Sequence, residues 1–281
     1  MSVAIVSYSG GLTSFEAGRR AMESGDYERV EWWFCDTLSE DPDLYRFNRD
    51  VERLLGVKIR RLVSPELSAA RKPRPDDQPG AALWDLFDAQ GMIANTRADL
   101  CSRIAKRELF RRTLKAEFGP ADVMVVIGMD EINDCDRIKS CTQAFLPWRT
   151  VYPLTEPVVF KDEIAEWLAV RGIAQPSLYD AGAPHNNCAG FCVKAGLGQF
   201  AWLLASYPER YAYHEAREAE FRARTGKDVA ILRDRRGGDT KPMTLAALRA
   251  RIEFGEVFPM RGGDSCSCFS PQLDLFPEEA A

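Results

Sequence analysis

The chain has 281 residues, of which 46% are hydrophobic and eight are cysteines. A chain of this size can bury a full core, and its net charge of −5 argues against a protein that coats nucleic acid by bulk attraction. No run approaches about 18 apolar residues and no charged leader precedes the first strand, so we expect a cytoplasmic protein without a membrane partner. Without an export signal, the cysteines are expected to be reduced thiols, metal ligands or catalytic groups rather than disulfides.

The first part of the chain alternates apolar runs with stretches of helical periodicity. The predicted strands are Val3–Ser7, Val30–Cys35, Lys58–Leu62, Val123–Ile127 and Thr150–Leu154. An apolar stripe over residues 44–55 predicts a helix that ends at Gly56, and a second helix is predicted over Asp99–Phe118. The proline-rich, charged stretch Ser64–Gly80 is predicted to be a loop or a partly ordered flap. This pattern is typical of an α/β fold, a parallel sheet of about five strands with helices on both faces.

The composition changes near position 180. We therefore predict an α/β domain over residues 1–180 and a mainly helical, cysteine-containing region over residues 181–281 with a flexible tail. Within the second region, helices are predicted at Lys194–Ser206 and Pro208–Thr225.

A Ser-Gly-Gly turn follows the first strand and opens a helix. Glycines let the backbone approach an anion, and the N–H groups and dipole of the next helix favour negative charge. The candidate nucleotide-binding residues of this turn are Ser9, Gly10, Gly11, Thr13 and Ser14. The spacing is not the Walker pattern, which ends in Gly-Lys-Ser/Thr. The sequence therefore predicts a phosphate cradle, with an ordinary tight turn as the alternative.

Polar residues also follow the second and fourth predicted strands, where open parallel sheets bind ligands. Asp36 and Thr37 follow the second strand, and a carboxylate there can accept hydrogen bonds from an adenosine. Gly128, Glu131 and Arg137 follow the fourth, and a guanidinium can hold phosphate or sulfate oxygens. Taken singly, each would more often be a surface charge or a helix cap.

In chain order, these positions, Tyr152–Leu154 and the segment Pro176–Gly182 before the later cysteines resemble a known family. The resemblance, over residues 3 to 195, is to the phosphoadenosine phosphosulfate (PAPS) reductase-like PP-loop enzymes, which include the N-type ATP pyrophosphatases. It implies an adenine nucleotide α-hydrolase-like fold that binds ATP or PAPS at the strand ends, with sulfur chemistry nearby. The chain departs from the family at Thr13, where the pyrophosphatases usually have Asp. It also lacks the C-terminal Glu-Cys-Gly-Leu/Ile-His signature.

The cysteine spacing suggests a metal site. The segment around Cys101 resembles one that carries a cysteine pair in the iron–sulfur members of the family, although Ser102 replaces the second cysteine. Cys188 and Cys192 follow in a short segment, and Cys268 or Cys266 could supply a fourth ligand. Soft thiolates suit a 4Fe–4S cluster or Zn²⁺. The alternative is that these cysteines are buried apolar residues. Cys35 is predicted to be core, and Cys135 and Cys141 to be loop thiols.

Candidate catalytic residues differ between the two nucleotides. With ATP, Mg²⁺ and cationic side chains could neutralise the phosphates, and the candidates are Lys106, Arg137 and Lys194. With PAPS, Cys266 or Cys268 would be the nucleophile. Of the two histidines, His185 is expected to contact substrate or support a ligand, and His214 to be solvated.

Two further features suggest macromolecular partners. Cationic residues repeat every fourth position at Arg103, Arg107, Arg111 and Lys115, a row that could meet the phosphates of DNA or tRNA or simply be solvated. The tail segment Gln272, Leu273, Asp274, Leu275 and Phe276 looks like the pentapeptide by which bacterial proteins dock on the replication sliding clamp. The alternative is a tail that folds back into a surface groove.

The sequence thus predicts a PAPS reductase-family enzyme that binds ATP or PAPS and carries out sulfur transfer or reduction. One alternative is an ATP pyrophosphatase that adenylates and thiolates DNA or tRNA. A second is a non-catalytic nucleotide-binding regulatory protein.

Overall fold

The computed structural model describes residues 3–129, 131–236 and 239–260, with the backbone alone for residues 131–136. Its main feature is a parallel sheet of five strands in the order β3-β2-β1-β4-β5. The strands are β1 (Val3–Tyr8), β2 (Arg29–Cys35), β3 (Ile59–Leu62), β4 (Val123–Val126) and β5 (Arg149–Val151). The α/β class and the five-stranded parallel sheet are therefore confirmed. The fifth strand ends before the predicted Leu154, because Pro153 has no N–H for the ladder.

Helices account for about half of the chain. Those of the first 180 residues are α1 (Leu12–Glu23), α2 (Pro42–Leu55), α3 (Pro65–Ala70), α4 (Ala81–Gln90), α5 (Leu100–Ser102), α6 (Leu109–Glu117), α7 (Glu131–Phe145), α8 (Lys161–Ala169) and α9 (Ser177–Asp180). A π-helical turn over Arg103–Glu108 joins α5 to α6. Across the rest of the described chain follow α10 (Leu197–Ser206), α11 (Pro208–Thr225), a ribbon of β6 (Leu232–Asp234) and β7 (Lys241–Met243), and α12 (Leu245–Glu253). Within the described ranges, every helix is too short or too polar to cross a lipid bilayer.

Alternating side chains of the central strands enter two separate cores. Val6 of β1 and Trp32 of β2 pack on one face with residues of α1, α2 and α8. Ile5 and Trp33 point to the other face and pack with residues of α6 and α7. Because successive side chains of a strand point to opposite sides, this division is what helices on both faces require.

A third core lies beside the sheet and joins distant parts of the chain. It contains buried residues between positions 67 and 105 together with buried residues between positions 188 and 248. Side chains from both sides of position 180 thus pack in one cluster. The β6–β7 ribbon, which the sequence analysis did not predict, adds Leu232 and Met243 to it. Strands of three residues are too short to show an alternating pattern.

Two predictions about local structure are wrong. Ser64–Gly80 is not a continuous loop, because Pro65 is the first residue of α3 and the Ser64 hydroxyl accepts a hydrogen bond from the Leu67 amide at 3.0 Å. Proline at the first helical position begins a helix rather than preventing one. Cys141 is not a loop thiol, since it lies in α7 and is completely buried against the sheet. Cys35, predicted to be core, is buried at the end of β2.

The prediction that His214 is solvated is also wrong. Its imidazole is completely buried, stacks on Phe191 with ring centroids 3.6 Å apart, and accepts a hydrogen bond from the Trp84 indole N–H at 2.9 Å. Tyr211, His214, Glu218 and Phe221 are the buried residues of α11, and their spacing of three or four places them on one helix face. Burial lowers the pKa of His214 to about 3, and Arg210 adds to this effect.

Because His214 is held neutral, folding stability should fall in mild acid. The unfolded chain takes up a proton as pH falls below the ordinary pKa of 6.5, whereas the folded chain does not until about pH 3. Between pH 7 and pH 5 this costs about 2 kcal/mol of unfolding free energy. Urea unfolding of the wild type and His214→Gln at both pH values checks this. The variant should lose about 2 kcal/mol less, and an equal loss in both proteins would refute the assignment.

Candidate functional site

The candidate site lies at the carboxyl edge of the sheet, where the strand order reverses. β2 and β3 extend the sheet on one side of β1, and β4 and β5 extend it on the other. The switch point therefore lies between β1 and β4, which pair in parallel with Ile5 opposite Val125. Ligands of open α/β sheets bind in the crevice outside this point. The Ser-Gly-Gly turn leaves β1 there, and Gly128 follows β4.

A hydroxyl closes the turn that we call the phosphate loop, residues Ser9–Ser14. The Ser14 hydroxyl donates to the Gly11 carbonyl at 3.0 Å and accepts from the Ser9 amide at 3.1 Å, and its oxygen lies 3.0 Å from that of the Ser9 hydroxyl. Gly10 has a φ of +77°, which a residue with a side chain rarely adopts. The predicted residues of the turn thus form one compact loop that begins α1.

The phosphate loop presents backbone donors. Among the described residues, no acceptor forms a hydrogen bond with the amide groups of Gly10, Gly11, Thr13 or Ser14. The first turn of α1 contains no acidic residue, so no side chain of that turn compensates the positive end of its dipole. Unpaired N–H groups at a helix N-terminus form an anion site. Ser9 and Thr13 are the partly exposed members of the loop.

Close contacts with neighbouring atoms explain why two positions of the site are occupied by glycine. A β-carbon on Gly128 would lie 2.6 Å from the Thr13 carbonyl oxygen, so the chain after β4 can reach the start of α1 only without a side chain. A β-carbon on Gly11 would lie 2.8 Å from the Tyr179 hydroxyl, which also accepts a long hydrogen bond of 3.4 Å from the Leu12 amide. Gly11 therefore makes room for the phenol of Tyr179.

The predicted Asp36 is engaged by the protein. Its carboxylate is completely buried and accepts from the Leu38 amide at 2.6 Å, the Tyr45 hydroxyl at 3.0 Å and the Arg61 guanidinium at 2.5 Å. Burial, and then the charge of Asp36, raise the pKa of Tyr45. A hydrogen bond from Asp36 to an adenosine stays a prediction.

A buried polar cluster joins the loop after β2 to the cysteine segment. Its centre is Glu40, which accepts from the Thr37 hydroxyl at 2.8 Å and from the Cys188 amide at 2.5 Å. The Lys106 ammonium lies 3.9 Å from Glu40 and 3.4 Å from the Asn187 amide oxygen, and it sits on the π-helical turn. Burial raises the pKa of Glu40, and Lys106 opposes that shift.

Sequence reasoning missed Glu40, since no motif distinguishes it from an exposed acid before a helix. It found Lys106 as a candidate cation, and the structure places this lysine among buried polar groups rather than on a solvated face. π-Helical turns are rare and are found frequently at functional sites.

The predicted cysteine ligands Cys101, Cys188 and Cys192 lie in one core, but the described residues do not form a metal site around them. Cys101, Cys188 and Cys192 are buried in the same cluster. Within the part of the chain that the structure describes, no group of three or more His, Cys, Asp or Glu side chains is placed to hold a metal ion. The predicted fourth ligands, Cys268 and Cys266, lie outside the described residues. The metal site stays a prediction.

The turn that carries Cys188 has an uncommon backbone. Cys188, Ala189 and Gly190 all have a positive φ, of 50°, 52° and 83°. For residues with side chains this conformation costs roughly 1–2 kcal/mol each. The Arg210 guanidinium donates to the Ala189 carbonyl at 2.7 Å, and the Gln199 amide donates to the Gly190 carbonyl at 3.2 Å.

Other predicted residues lie elsewhere. Arg137 and Cys135 lie in α7, so the prediction that Cys135 is in a loop is wrong. The side chains of Glu131 and Cys135 and the tail segment Gln272–Phe276 lie outside the described residues. His185 is buried and accepts from the Asn187 amide at 3.3 Å.

Most of the predicted basic row is paired within the chain. Arg103 pairs with Glu108 at 2.9 Å, and Arg107 pairs with Asp99 at 2.5 Å. Arg111 donates to the Leu146 carbonyl at 3.1 Å, and Lys115 is exposed. Lys194, a further candidate cation, lies 3.2 Å from Asp99. Contact of this row with DNA or tRNA stays a prediction.

In comparisons with known proteins, no protein-family model and no curated protein matches this chain.

The contact between Gly11 and Tyr179 predicts a coupled pair of substitutions. Gly11→Ala should destabilise the protein by about 1–3 kcal/mol, because the new methyl group meets the Tyr179 hydroxyl. Adding Tyr179→Phe should recover most of the loss, with a coupling energy of about 1 kcal/mol or more in urea unfolding. Gly128→Ala is the control. Its new methyl group meets backbone atoms rather than the Tyr179 hydroxyl, so adding Tyr179→Phe should not recover its loss of stability. Additive effects of Gly11→Ala and Tyr179→Phe would contradict the geometry.

Proposed function

We propose that this chain is a PAPS reductase-like PP-loop enzyme that binds the phosphates of ATP or PAPS on the phosphate loop and uses the nucleotide in sulfur transfer or reduction. The observation that carries the proposal is the position of a Gly-Gly loop with unpaired amides at the switch point of a five-stranded parallel sheet. Such a site fits oxyanions on charge and on hydrogen-bond geometry.

The link between the loop and the cysteine segment supports sulfur chemistry. The Asn186 side chain donates to the Gly10 carbonyl at 2.9 Å, two residues before Cys188. Glu40, which accepts a hydrogen bond from Thr37 in the loop after β2, also accepts one from the Cys188 amide. A nucleotide on the loop would therefore be bound beside a segment that carries Cys188.

Either nucleotide fits this arrangement. ATP would lose pyrophosphate when a substrate oxygen attacks the α-phosphorus and the α–β linkage breaks, and thiolation of DNA or tRNA belongs to this branch. Bound Mg²⁺ would neutralise phosphate charge. With PAPS the thiolate of Cys266 or Cys268 would attack the sulfate sulfur and the S–O bond to adenosine 3′,5′-bisphosphate would break. A thiol of the dithiol reductant would then attack the cysteine sulfur and release sulfite as a disulfide forms.

The experiment measures both products. The chain is incubated with ATP and Mg²⁺, and separately with PAPS and a dithiol reductant. Pyrophosphate release supports the ATP branch and sulfite release supports the PAPS branch. Tight binding without either product favours the non-catalytic regulatory protein, and failure to bind either nucleotide contradicts the proposal.

A charge on the phosphate loop should block nucleotide binding. We expect Ser9→Asp to weaken ATP binding at least tenfold, about 1.4 kcal/mol, because the carboxylate competes for the unpaired amides and repels phosphate. Ser9→Asn is the neutral control of nearly equal shape and should stay within about threefold of the wild type. Calorimetric titration measures binding, and urea unfolding should show Ser9→Asp to be at least as stable as Ser9→Asn. Equal affinities of the two variants would rule out the loop as the phosphate site.

The donor chemistry of the cysteines fits a thiolate-bound metal, although the described residues bring no three ligands together. Cys101, Cys188 and Cys192, with Cys266 or Cys268, would hold a 4Fe–4S cluster or Zn²⁺. A cluster would supply a soft iron site for sulfur or electrons.

Metal analysis tests this part of the proposal. Anaerobically purified protein should contain iron with acid-labile sulfide, or zinc. Cys188→Ser and Cys192→Ser should lower that content, whereas Cys141→Ser, in a different core, should not. Absence of iron, zinc and sulfide from the wild type would remove the metal site and leave the nucleotide site standing.

A further inference from the structure

Asn186 belongs to the cysteine segment but contacts the phosphate loop. Its side chain is 1% exposed, and its Nδ2 donates to the Gly10 carbonyl at 2.9 Å. Within the described part of the chain, its Oδ1 is buried without a hydrogen-bond partner. An unsatisfied buried amide oxygen costs free energy, which offsets what the single hydrogen bond contributes. Stability alone is therefore a poor reason for an asparagine here.

The Gly10 carbonyl and the Gly11 N–H belong to one peptide group. The peptide bond is trans, so the two groups point in opposite directions. A hydrogen bond that holds the carbonyl against Asn186 therefore directs the Gly11 N–H away from Asn186. That N–H has no acceptor among the described residues.

A peptide between two glycines needs such a restraint. Glycine adopts positive and negative φ almost equally readily, so the Gly10–Gly11 peptide can rotate at little cost when nothing holds it. The Tyr179 hydroxyl, which belongs to the same part of the chain as Asn186, restrains the neighbouring Leu12 amide. Tyr179 and Asn186, which are 167 and 176 positions away from their partners in sequence, thus both form hydrogen bonds with the phosphate loop.

We propose that Asn186 is a positioning residue for phosphate binding, which holds the Gly10–Gly11 peptide so that the Gly11 N–H faces an oxyanion of the nucleotide. This inference rests on the proposed function of the loop. It also makes phosphate binding depend on the placement of the segment that carries Cys188.

The test replaces the donor without changing the shape. In Asn186→Asp a carboxylate repels the Gly10 carbonyl and attracts the Gly11 N–H, so the peptide should turn over and lose its donor to the ligand. We expect the affinity for inorganic pyrophosphate and for ATP to fall at least tenfold, about 1.4 kcal/mol. Asn186→Ala removes the hydrogen bond without burying a charge, and it should also lower both affinities.

The control is Asn95→Asp. Asn95 is another buried asparagine, and its Oδ1 accepts from the Arg97 amide at 2.9 Å and the Ala98 amide at 3.0 Å. A carboxylate keeps that acceptor role, so this variant should bind pyrophosphate as the wild type does.

An NMR signal of the phosphate loop distinguishes a positioning role of Asn186 from a general loss of structure. In protein labelled with ¹⁵N-glycine, pyrophosphate should shift the Gly11 amide signal of the wild type and of Asn95→Asp. At the same concentration it should leave that signal unchanged in Asn186→Asp, while the free protein keeps its other glycine signals.

The outcomes distinguish this inference from the proposed function. If the wild type binds pyrophosphate and ATP but both Asn186 variants bind within about twofold of it, with the same Gly11 shift, the positioning role is overturned and the nucleotide site stands. If the wild type binds neither ATP nor PAPS nor pyrophosphate, the proposed function itself fails.

Discussion

The site depends on the direction of the peptide groups in the phosphate loop. The Gly10 carbonyl accepts from Asn186 and the Gly11 carbonyl accepts from the Ser14 hydroxyl, whereas the amides of Gly10, Gly11, Thr13 and Ser14 have no protein acceptor among the described residues. Backbone groups that are buried without partners cost free energy, so a loop of this kind is expected to meet its acceptors in a ligand or in water. The switch point between β1 and β4 places these amides at the edge of the sheet where a ligand can enter.

The second constraint is the buried carboxyl group of Glu40. Two ionisable groups removed from water are stable only when paired and hydrogen-bonded, and Glu40 has Lys106, Thr37 and the Cys188 amide as partners. The cluster therefore fixes three segments together: the loop after β2, the π-helical turn and the cysteine turn. Glu40 and Arg210 form hydrogen bonds with the strained turn at Cys188, at the Cys188 amide and the Ala189 carbonyl.

Much of the sheet could be predicted from the sequence because buried parallel strands read as apolar runs and the Ser-Gly-Gly turn is local. The errors have physical causes. Pro65 is typical of a loop in the sequence, although it begins α3. No second cysteine lies at a ligand-like spacing from Cys141, which favoured a loop thiol, although its helix packs on the sheet. His214 lies among charged residues in sequence, but only every third or fourth residue of α11 faces the core. That last error was avoidable, since the stripe from Tyr211 to Phe221 is visible in the sequence.

The candidate site was less predictable. The phosphate loop was found from its residues, but Glu40 and Asn186 act through contacts with segments far away in the chain, and no local pattern reveals such contacts. Tyr179 lies in the segment Pro176–Gly182, which resembles the family, yet its approach to Gly11 depends on where α9 lies relative to α1.

The most direct measurement is a crystal structure of the chain with α,β-methylene ATP, whose α–β linkage cannot be hydrolysed. The account predicts phosphate oxygens within about 3 Å of the Gly11 and Thr13 amide nitrogens, between the ends of β1 and β4. An analogue bound elsewhere, with no phosphate oxygen near the Gly11 and Thr13 amides, would contradict it.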